Sequence, residues 1–238
     1  MARHPRLILP GVALHLIQRG NNRDVCFRQD SDCLTYLAYL RHPCAKYHCE
    51  VHAYCLMTNH VHLLLTPAAV ESCASLMRDL GRCYVRYFNR RHGRTGTLWE
   101  GRFRSCIAES ARYVVACYRY IEFNPVRAGM VSHPSSYLWS SHAANTGMRS
   151  HSMVKPHCEF LALAASAGSR HAAYRGLFKL PIDQNLLRSI REATIGGYPL
   201  ASDSFKSRMI APPGCRTQRG KPGPRVESPE ALYAFKRN

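Results

Sequence analysis

Two histidines interrupt an apolar stretch of the chain, MTNHVHLLLTP at residues 57–67. If this stretch is a strand, His60 and His62 lie on one face, because side chains two residues apart point the same way. Two adjacent imidazoles supply half of a typical metal site. The pattern is short, so a pair of solvated or hydrogen-bonded histidines on an exposed face is the alternative interpretation.

A second candidate group lies near the end of a predicted helix. Tyr120 and Asn124 are four residues apart, which places a phenol and an amide oxygen on one helical face, where both can meet the same ion. Tyr118 and Glu122 form a competing pair with equal spacing. At about 100° per residue, Tyr118 lies roughly 200° around the helix from Tyr120, so only one pair can face a common site. Alternatively, both tyrosines are packing residues.

Apolar periodicity predicts the elements that must position these side chains. Strand-like patterns occur at residues 12–19, 49–57, 60–66 and 97–107. Helical spacing occurs at residues 31–47, 71–90 and 110–124. Thr58 and Asn59 predict a tight hairpin between two strands. Pro43 should kink or end the first helix early, and Pro125 should end the last one near Asn124. The order strand, helix, strand, strand, helix, strand, helix predicts an α+β fold with helices packed on an antiparallel sheet.

The character of the chain changes after about residue 145. We predict one domain at residues 1–145, a small helical extension at 146–213 that begins with a linker, and a basic tail at 214–238. The tail is rich in Pro, Gly and Arg and has little apolar surface to bury, so we expect it to be flexible.

The charge balance indicates the partner. The chain has 33 Lys and Arg against 15 Asp and Glu, a formal net charge of +18, which favours binding of a polyanion such as nucleic acid.

No apolar run reaches the roughly 20 residues that span a bilayer, and no basic helix with a clean apolar face points to a membrane surface. The 11 cysteines are odd in number and lack a CxxC pair, which indicates free thiols. We therefore expect a soluble cytoplasmic protein without a membrane partner.

Arginines alternate with aromatic residues between positions 82 and 104. Proteins that bind a single strand use cationic side chains to contact its phosphates and aromatic rings to stack on its unpaired bases. We favour the interpretation that Tyr84, Tyr87 and Phe88 pack in the core. The arginines of this stretch then lie on the solvated face, where they can still bind DNA. The predicted DNA-binding residues are Arg19, Arg86, Arg90, Arg91, Arg94, Trp99, Arg102, Arg104 and Arg127.

Four segments together resemble a known family. QRGNNR, HAYCLMTNHVHLLLTP, RYFNRRHGRTGTLWEGRFRS and YRYIEFNPVRAGMV, in this order, are similar to the REP-associated tyrosine transposases, a branch of the HUH single-strand nucleases. The resemblance implies a ferredoxin-like sheet and the cutting of single-stranded DNA beside hairpin repeats. It implies that His60, His62 and Asn124 hold a divalent metal ion, Mg²⁺ or Mn²⁺, and that Tyr120 is the nucleophile that forms a 5′-phosphotyrosine.

The tail resembles the family's terminal Arg-Gly-Arg-Pro segment only in part. Arg216, Arg219 and Arg225 are present, but Lys221 stands where a second arginine is expected, so we predict a nonspecific phosphate tether. The C-terminal extension could cover the edge that a second copy would use, which favours a monomer over a dimer.

Two further hypotheses compete with the enzyme. The cluster Cys44, His48, Cys49, His52 and Cys55 could bind zinc, although it lacks the CxxC spacing of structural zinc sites. The chain could also be a non-catalytic regulator that binds hairpin DNA and derives from a transposase.

Overall fold

The computed structural model describes residues 4–220. Its centre is a four-stranded antiparallel sheet in the order β2-β3-β1-β4. The strands are β1 (Leu14–Arg19), β2 (Cys49–Met57), β3 (His60–Pro67) and β4 (Arg104–Ile107). Helices pack against this sheet, so the predicted α+β class is confirmed. Residues 221–238 of the predicted tail, with Lys221 and Arg225, lie outside the described residues.

The helices follow the predicted order through the first half of the chain and continue through the second. Within residues 4–220, no helix combines the length and apolarity that crossing a bilayer requires. The sequence-based domain boundaries stay a prediction. The helices are α1 (Asp30–Lys46), α2 (Ser72–Arg91), α3 (Ala111–Glu122), α4 (Asn124–Arg127), α5 (His142–Asn145), α6 (Cys158–Leu161), α7 (Ala167–Leu177), α8 (Gln184–Gly196) and α9 (Asp203–Arg208), with 3₁₀ turns at Asn21–Arg23 and Pro134–Ser136.

Two proline predictions have different outcomes. Pro43 does not end α1, which continues to Lys46. It sits near the end of the helix and is buried, so α1 loses only one internal hydrogen bond close to its last turn. The helix before Pro125 does end where expected: α3 stops at Glu122, and the short α4 restarts at Asn124 with proline in its first turn.

The two faces of the sheet have separate cores. Leu14 and Leu16 of β1 and Leu63 of β3 point to the face covered by α1 and α2, because strand side chains alternate. The opposite face carries His15, His62 and Leu64, and it is covered by α3 and by helices from the second half of the chain. The histidines of β1 and β3 lie on this second face, which we call the polar face of the sheet.

The turn after β1 depends on a glycine. Gly20 donates to the carbonyl of Asn59 at 2.8 Å, which ties this turn to the β2–β3 hairpin. A Cβ at Gly20 would collide with the backbone carbonyl oxygen of Asp24. Glycine is the residue that permits this close approach, and the contact fixes the position of Arg19 beside His60.

Glu122 anchors helix α3 from the side opposite Tyr120. Its carboxyl oxygens accept from Ser141 Oγ at 2.6 Å, Asn145 Nδ2 at 2.7 Å and Tyr174 OH at 2.8 Å, and His142 Nδ1 lies 3.2 Å away. The residue is completely buried. Because a buried polar group needs partners, these contacts fix the rotation of α3 about its axis.

We expect Glu122→Gln to lower the free energy of unfolding by about 2 kcal/mol, because the amide nitrogen presents hydrogens to groups that also donate. Urea denaturation followed by circular dichroism measures the loss. Glu50→Gln, at an exposed position of β2, is the matched control and should change stability little. Equal effects of the two substitutions would show that Glu122 does not anchor the helix.

Candidate active site

A cavity of about 230 Å³ lies between the polar face of the sheet and helices α3, α4 and α8. It brings together all four residues that the sequence predicted for metal binding and nucleophilic attack. They come from three separate elements, the strand β3 and the helices α3 and α4. The lining residues are His15, Ile17, Arg19, His60, His62, Tyr120, Asn124, Arg191, Thr194 and Ile195.

The two histidines of β3 point into the cavity with their rings nearly perpendicular. Their ring centres are 5.0 Å apart, at an interplanar angle of 79°. His60 Nδ1 lies 2.7 Å from Asn59 Oδ1, and His62 Nδ1 lies 3.0 Å from His15 Nε2. The Nε2 atoms of both rings make no hydrogen bond to any residue in the described part of the chain, so they are available to a ligand.

Burial keeps these imidazoles in their neutral form. It lowers the pKa of His60 to about 4, and the positive charges of Arg19 and Arg127 act in the same direction. It lowers the pKa of His62 further, with added effects from His15, His60 and the two arginines. Only the neutral ring offers a lone pair to a metal ion, so both side chains are ready to coordinate at neutral pH.

Tyr120 faces the histidines from α3. Its ring centre lies 5.6 Å from that of His62 and 5.4 Å from that of His15. Arg127 covers the other side of the ring, with Cζ 4.1 Å from the ring centre. Tyr118 points the opposite way, stacks on Phe160 and accepts from the backbone N–H of His157. Tyr118 and Tyr120 thus lie on opposite sides of α3, as the angle between helix positions predicted.

Asn124 and Arg127 are in direct contact beside Tyr120. Arg127 Nη2 donates to Asn124 Oδ1 and also to the carbonyl of Tyr120 at 3.2 Å. Asn124 Nδ2 is buried and has no partner within residues 4–220, and the same is true of Arg127 Nε and Nη1. Burial lowers the pKa of Arg127, and Tyr120 partly offsets this effect. The site therefore holds polar atoms that need a further partner.

The donor set fits a divalent ion. Two neutral imidazole nitrogens face the cavity, and the Asn124 amide is a third potential ligand once its oxygen is released by Arg127. No cluster of three or more His, Cys, Asp or Glu side chains suited to a metal ion occurs among the described residues. The cysteines and histidines considered for zinc divide between two cores: Cys44 and Cys49 lie on one face of the sheet, and Cys55 on the other.

The predicted DNA-binding residues divide into three groups. Arg19 lines the cavity, and Arg127 contacts Tyr120 and Asn124 of its lining. The exposed Arg102 and Arg104 line a groove of about 610 Å³ that shares Thr194 and Ile195 with the cavity. The remaining arginines are not brought to the cavity. Arg86, Arg90 and Arg91 project from α2, which packs on the other face of the sheet, and Arg94 lies 3.8 Å from Asp24.

Trp99 requires a correction. The sequence predicted that this ring stacks on DNA bases, but it is only 6% exposed and stacks on Tyr84 in the core, with ring centres 6.0 Å apart. Its position follows from tertiary packing against α1 and α2, which local composition does not reveal. Tyr84 and Phe88 are also buried, as the favoured interpretation of this stretch predicted.

Sequence analysis missed three polar residues of the cavity, besides the apolar Ile17 and Ile195. His15 lies on β1, next to His62, and an isolated histidine in an alternating strand carries no distinguishing signal. Thr194 and Arg191 come from α8, in the region predicted only as a helical extension. Nothing in their local sequence indicates that α8 returns to the sheet.

Comparison with known proteins identifies a similar family and a similar fold. Residues 9–124 match the family model described as IS200-like transposase. A solved REP-associated tyrosine transposase bound to a REP hairpin is 16% identical, with a TM-score of 0.52 over 66% of this chain and 99% of the other. A candidate transposase from Deinococcus radiodurans is 18% identical, with a TM-score of 0.36 over 47% of this chain and 89% of the other. No curated protein gives a significant match.

At these identities the structural likeness establishes the fold, while the family match rests on the sequence of the segment that contains β1 to α3, the two histidines and Tyr120. The predicted resemblance to transposases is thereby confirmed, and residues 9–124 are similar to the IS200-like transposase family.

Proposed function

We propose that this protein cuts and rejoins single-stranded DNA beside hairpin repeats through a covalent bond to Tyr120. The family ties the chain to DNA transposition. The observation that carries the finer proposal is the convergence of His60, His62, Tyr120 and Asn124 on one cavity. A nucleophile placed beside metal-ligand side chains is the arrangement that phosphoryl transfer requires.

In the proposed reaction the Tyr120 hydroxyl oxygen attacks the scissile phosphorus. A tyrosine–phosphorus bond forms as the bond to the 3′ oxygen breaks, and the phenol proton ends on the departing 3′ oxygen. The products are a 5′-phosphotyrosine and a free 3′-OH. Since the new ester keeps the energy of the old one, a 3′-OH can attack it in reverse and rejoin strands without a nucleotide cofactor. Mg²⁺ or Mn²⁺ held by His60, His62 and Asn124 would stabilise negative charge on the phosphate.

Arg127 is placed to position the scissile phosphate. Its guanidinium lies over the Tyr120 ring, and two of its nitrogens are buried without a partner in the described residues. Leaving such donors unpaired is unfavourable, and phosphate oxygens match the geometry of the arginine fork. A phosphate bound here would lie next to the attacking oxygen.

The groove beside the cavity is a suitable path for the strand. Arg102 and Arg104 line it, and Arg6 stacks on Phe103 with Cζ 3.7 Å from the ring centre. Burial lowers the pKa of Arg6 to about 10, and the neighbouring charge of Arg102 contributes. Like charges held this close favour a polyanionic ligand.

The first prediction from the proposed function concerns the covalent bond between Tyr120 and DNA. Purified protein incubated with Mg²⁺ or Mn²⁺ and oligonucleotides from the repeats beside its gene should give a protein–DNA adduct on a denaturing gel. Tyr120→Phe should abolish the adduct and keep hairpin affinity, because only the attacking oxygen is removed. His60→Ala should also abolish it. Tyr113→Phe, on the same helix outside the cavity lining, is the matched control and should form the adduct normally.

Tight hairpin binding without an adduct in either metal would favour the non-catalytic regulator. An adduct that persists in Tyr120→Phe would assign the nucleophile elsewhere.

The second prediction concerns the groove. Removing two charges with Arg102→Ala and Arg104→Ala should weaken binding of an unstructured single strand about tenfold. The slope of log affinity against log salt should fall by about 1.4, since each phosphate contact contributes about 0.7. Arg86→Ala with Arg90→Ala removes the same charge from the opposite face of the sheet and should have a smaller effect. Equal effects of both pairs would argue against the groove as the strand path.

The third prediction couples phosphate and metal. If bound DNA draws Arg127 away from Asn124 Oδ1, then Mn²⁺ should bind Tyr120→Phe protein about fivefold more tightly with a single strand present than without it. Arg127→Ala should bind Mn²⁺ more tightly without DNA and lose much of the enhancement. Arg19→Ala removes a charge from the same cavity without freeing Asn124, so it should keep the enhancement. Mn²⁺ affinity that is independent of DNA would contradict this mechanism.

A further inference from the structure

We infer that a hydrogen-bond chain from helix α8 fixes the proton of His62 on Nδ1 and so leaves its Nε2 free to bind a ligand in the cavity. The chain runs from Ile190 through Thr194 and His15 to His62. His15 and Thr194 are thus positioning residues. Only the identity of the ligand, a divalent ion, rests on the proposed function.

The direction of the chain is set at its α8 end. Thr194 Oγ1 lies 2.7 Å from the carbonyl oxygen of Ile190, and a carbonyl can only accept, so the hydroxyl hydrogen points to Ile190. The same Oγ1 lies 2.9 Å from His15 Nδ1. Since the hydroxyl has no second hydrogen, its oxygen accepts and His15 Nδ1 donates.

The position of the hydrogen on His15 determines which nitrogen of His62 is protonated. His15 is 1% exposed, and its two ring nitrogens contact Thr194 and His62, neither of which is acidic, so burial favours the uncharged ring with one hydrogen, which is on Nδ1. Its Nε2 is therefore an acceptor, and it lies 3.0 Å from His62 Nδ1. His62 must then carry its own hydrogen on Nδ1, and its Nε2 bears the lone pair that faces the cavity.

Cys106 is compatible with this assignment. Its Sγ lies 3.2 Å from Thr194 Oγ1, and burial raises the pKa of this thiol to about 12, so the thiol keeps its hydrogen. Since the Thr194 hydrogen points to Ile190, the thiol is the donor in this contact. Thr194 Oγ1 thus accepts from two donors, as a hydroxyl oxygen with two lone pairs can.

A separate local contact orders His60 in the same way. Asn59 Nδ2 donates to the carbonyl of Arg23 at 3.0 Å, which turns Oδ1 of the same amide towards His60. Oδ1 lies 2.7 Å from His60 Nδ1, so this nitrogen donates as well. Both histidines consequently present an unprotonated Nε2, although only the order at His62 depends on α8.

The test is the tautomer of His62 in metal-free protein labelled with ¹⁵N-histidine. Long-range proton–nitrogen correlation spectra distinguish a ring protonated on Nδ1 from one protonated on Nε2, with His62→Ala identifying the signal. We expect the Nδ1 form in the wild-type protein. Thr194→Val removes the acceptor of His15 at nearly constant shape, which allows the His15 proton to move to Nε2 and forces His62 towards the Nε2 form.

Mn²⁺ binding provides a second readout. Thr194→Val should lower Mn²⁺ affinity about tenfold, and Thr194→Ser, which retains the hydroxyl, should restore both the affinity and the tautomer. Thr146→Val is the matched control: Thr146 is also completely buried, and its hydroxyl donates to the carbonyl of His142 outside the cavity lining. Neither readout should change in this variant.

The Nε2 form of His62 in the wild-type protein would overturn the inference, as would an unchanged tautomer in folded Thr194→Val. These outcomes are independent of DNA cleavage. A protein that forms no Tyr120 adduct but shows the expected tautomers would refute the proposed function and leave the hydrogen-bond chain intact.

Discussion

The polar face of the sheet depends on one constraint, that buried polar groups must find hydrogen-bond partners inside the protein. His15 and His62 lie on neighbouring strands and are almost completely buried, with their ring planes nearly parallel at 12° and their ring centres 5.2 Å apart. Each can satisfy one nitrogen on the other ring, but His15 then needs an acceptor from outside the sheet. Thr194 supplies it, and this requirement determines where α8 can pack.

Helix α3 obeys the same constraint from the other direction. Its two polar sides serve different purposes: Glu122 is satisfied by four groups from the second half of the chain, while Tyr120 faces the histidines. Because the Glu122 contacts fix the rotation of the helix, Tyr120 does not need internal hydrogen bonds of its own to be held in place. Its hydroxyl can therefore be used in a reaction.

The sequence predicted what local periodicity controls. The alternation of β3 and the two-residue turn before it place His60 and His62 on one face, and the angle between helix positions separates Tyr118 from Tyr120. Long-range packing decided the rest. Trp99 was predicted to bind DNA because arginines alternate with aromatic residues between positions 82 and 104, and it is buried because α2 covers it. Thr194 and His15 are close only in the folded chain.

The second half of the chain consequently contributes to the candidate active-site cavity. The family match ends at residue 124, yet Arg191, Thr194 and Ile195 of α8 line the cavity together with the histidines. A helix that only covered the sheet could be replaced by any apolar surface. This one places a hydroxyl against a buried imidazole, so an apolar substitute would leave the His15 nitrogen unpaired and the proton of His62 undirected. The proton position of His62 then depends, in this protein, on a residue outside the segment that matches the family model.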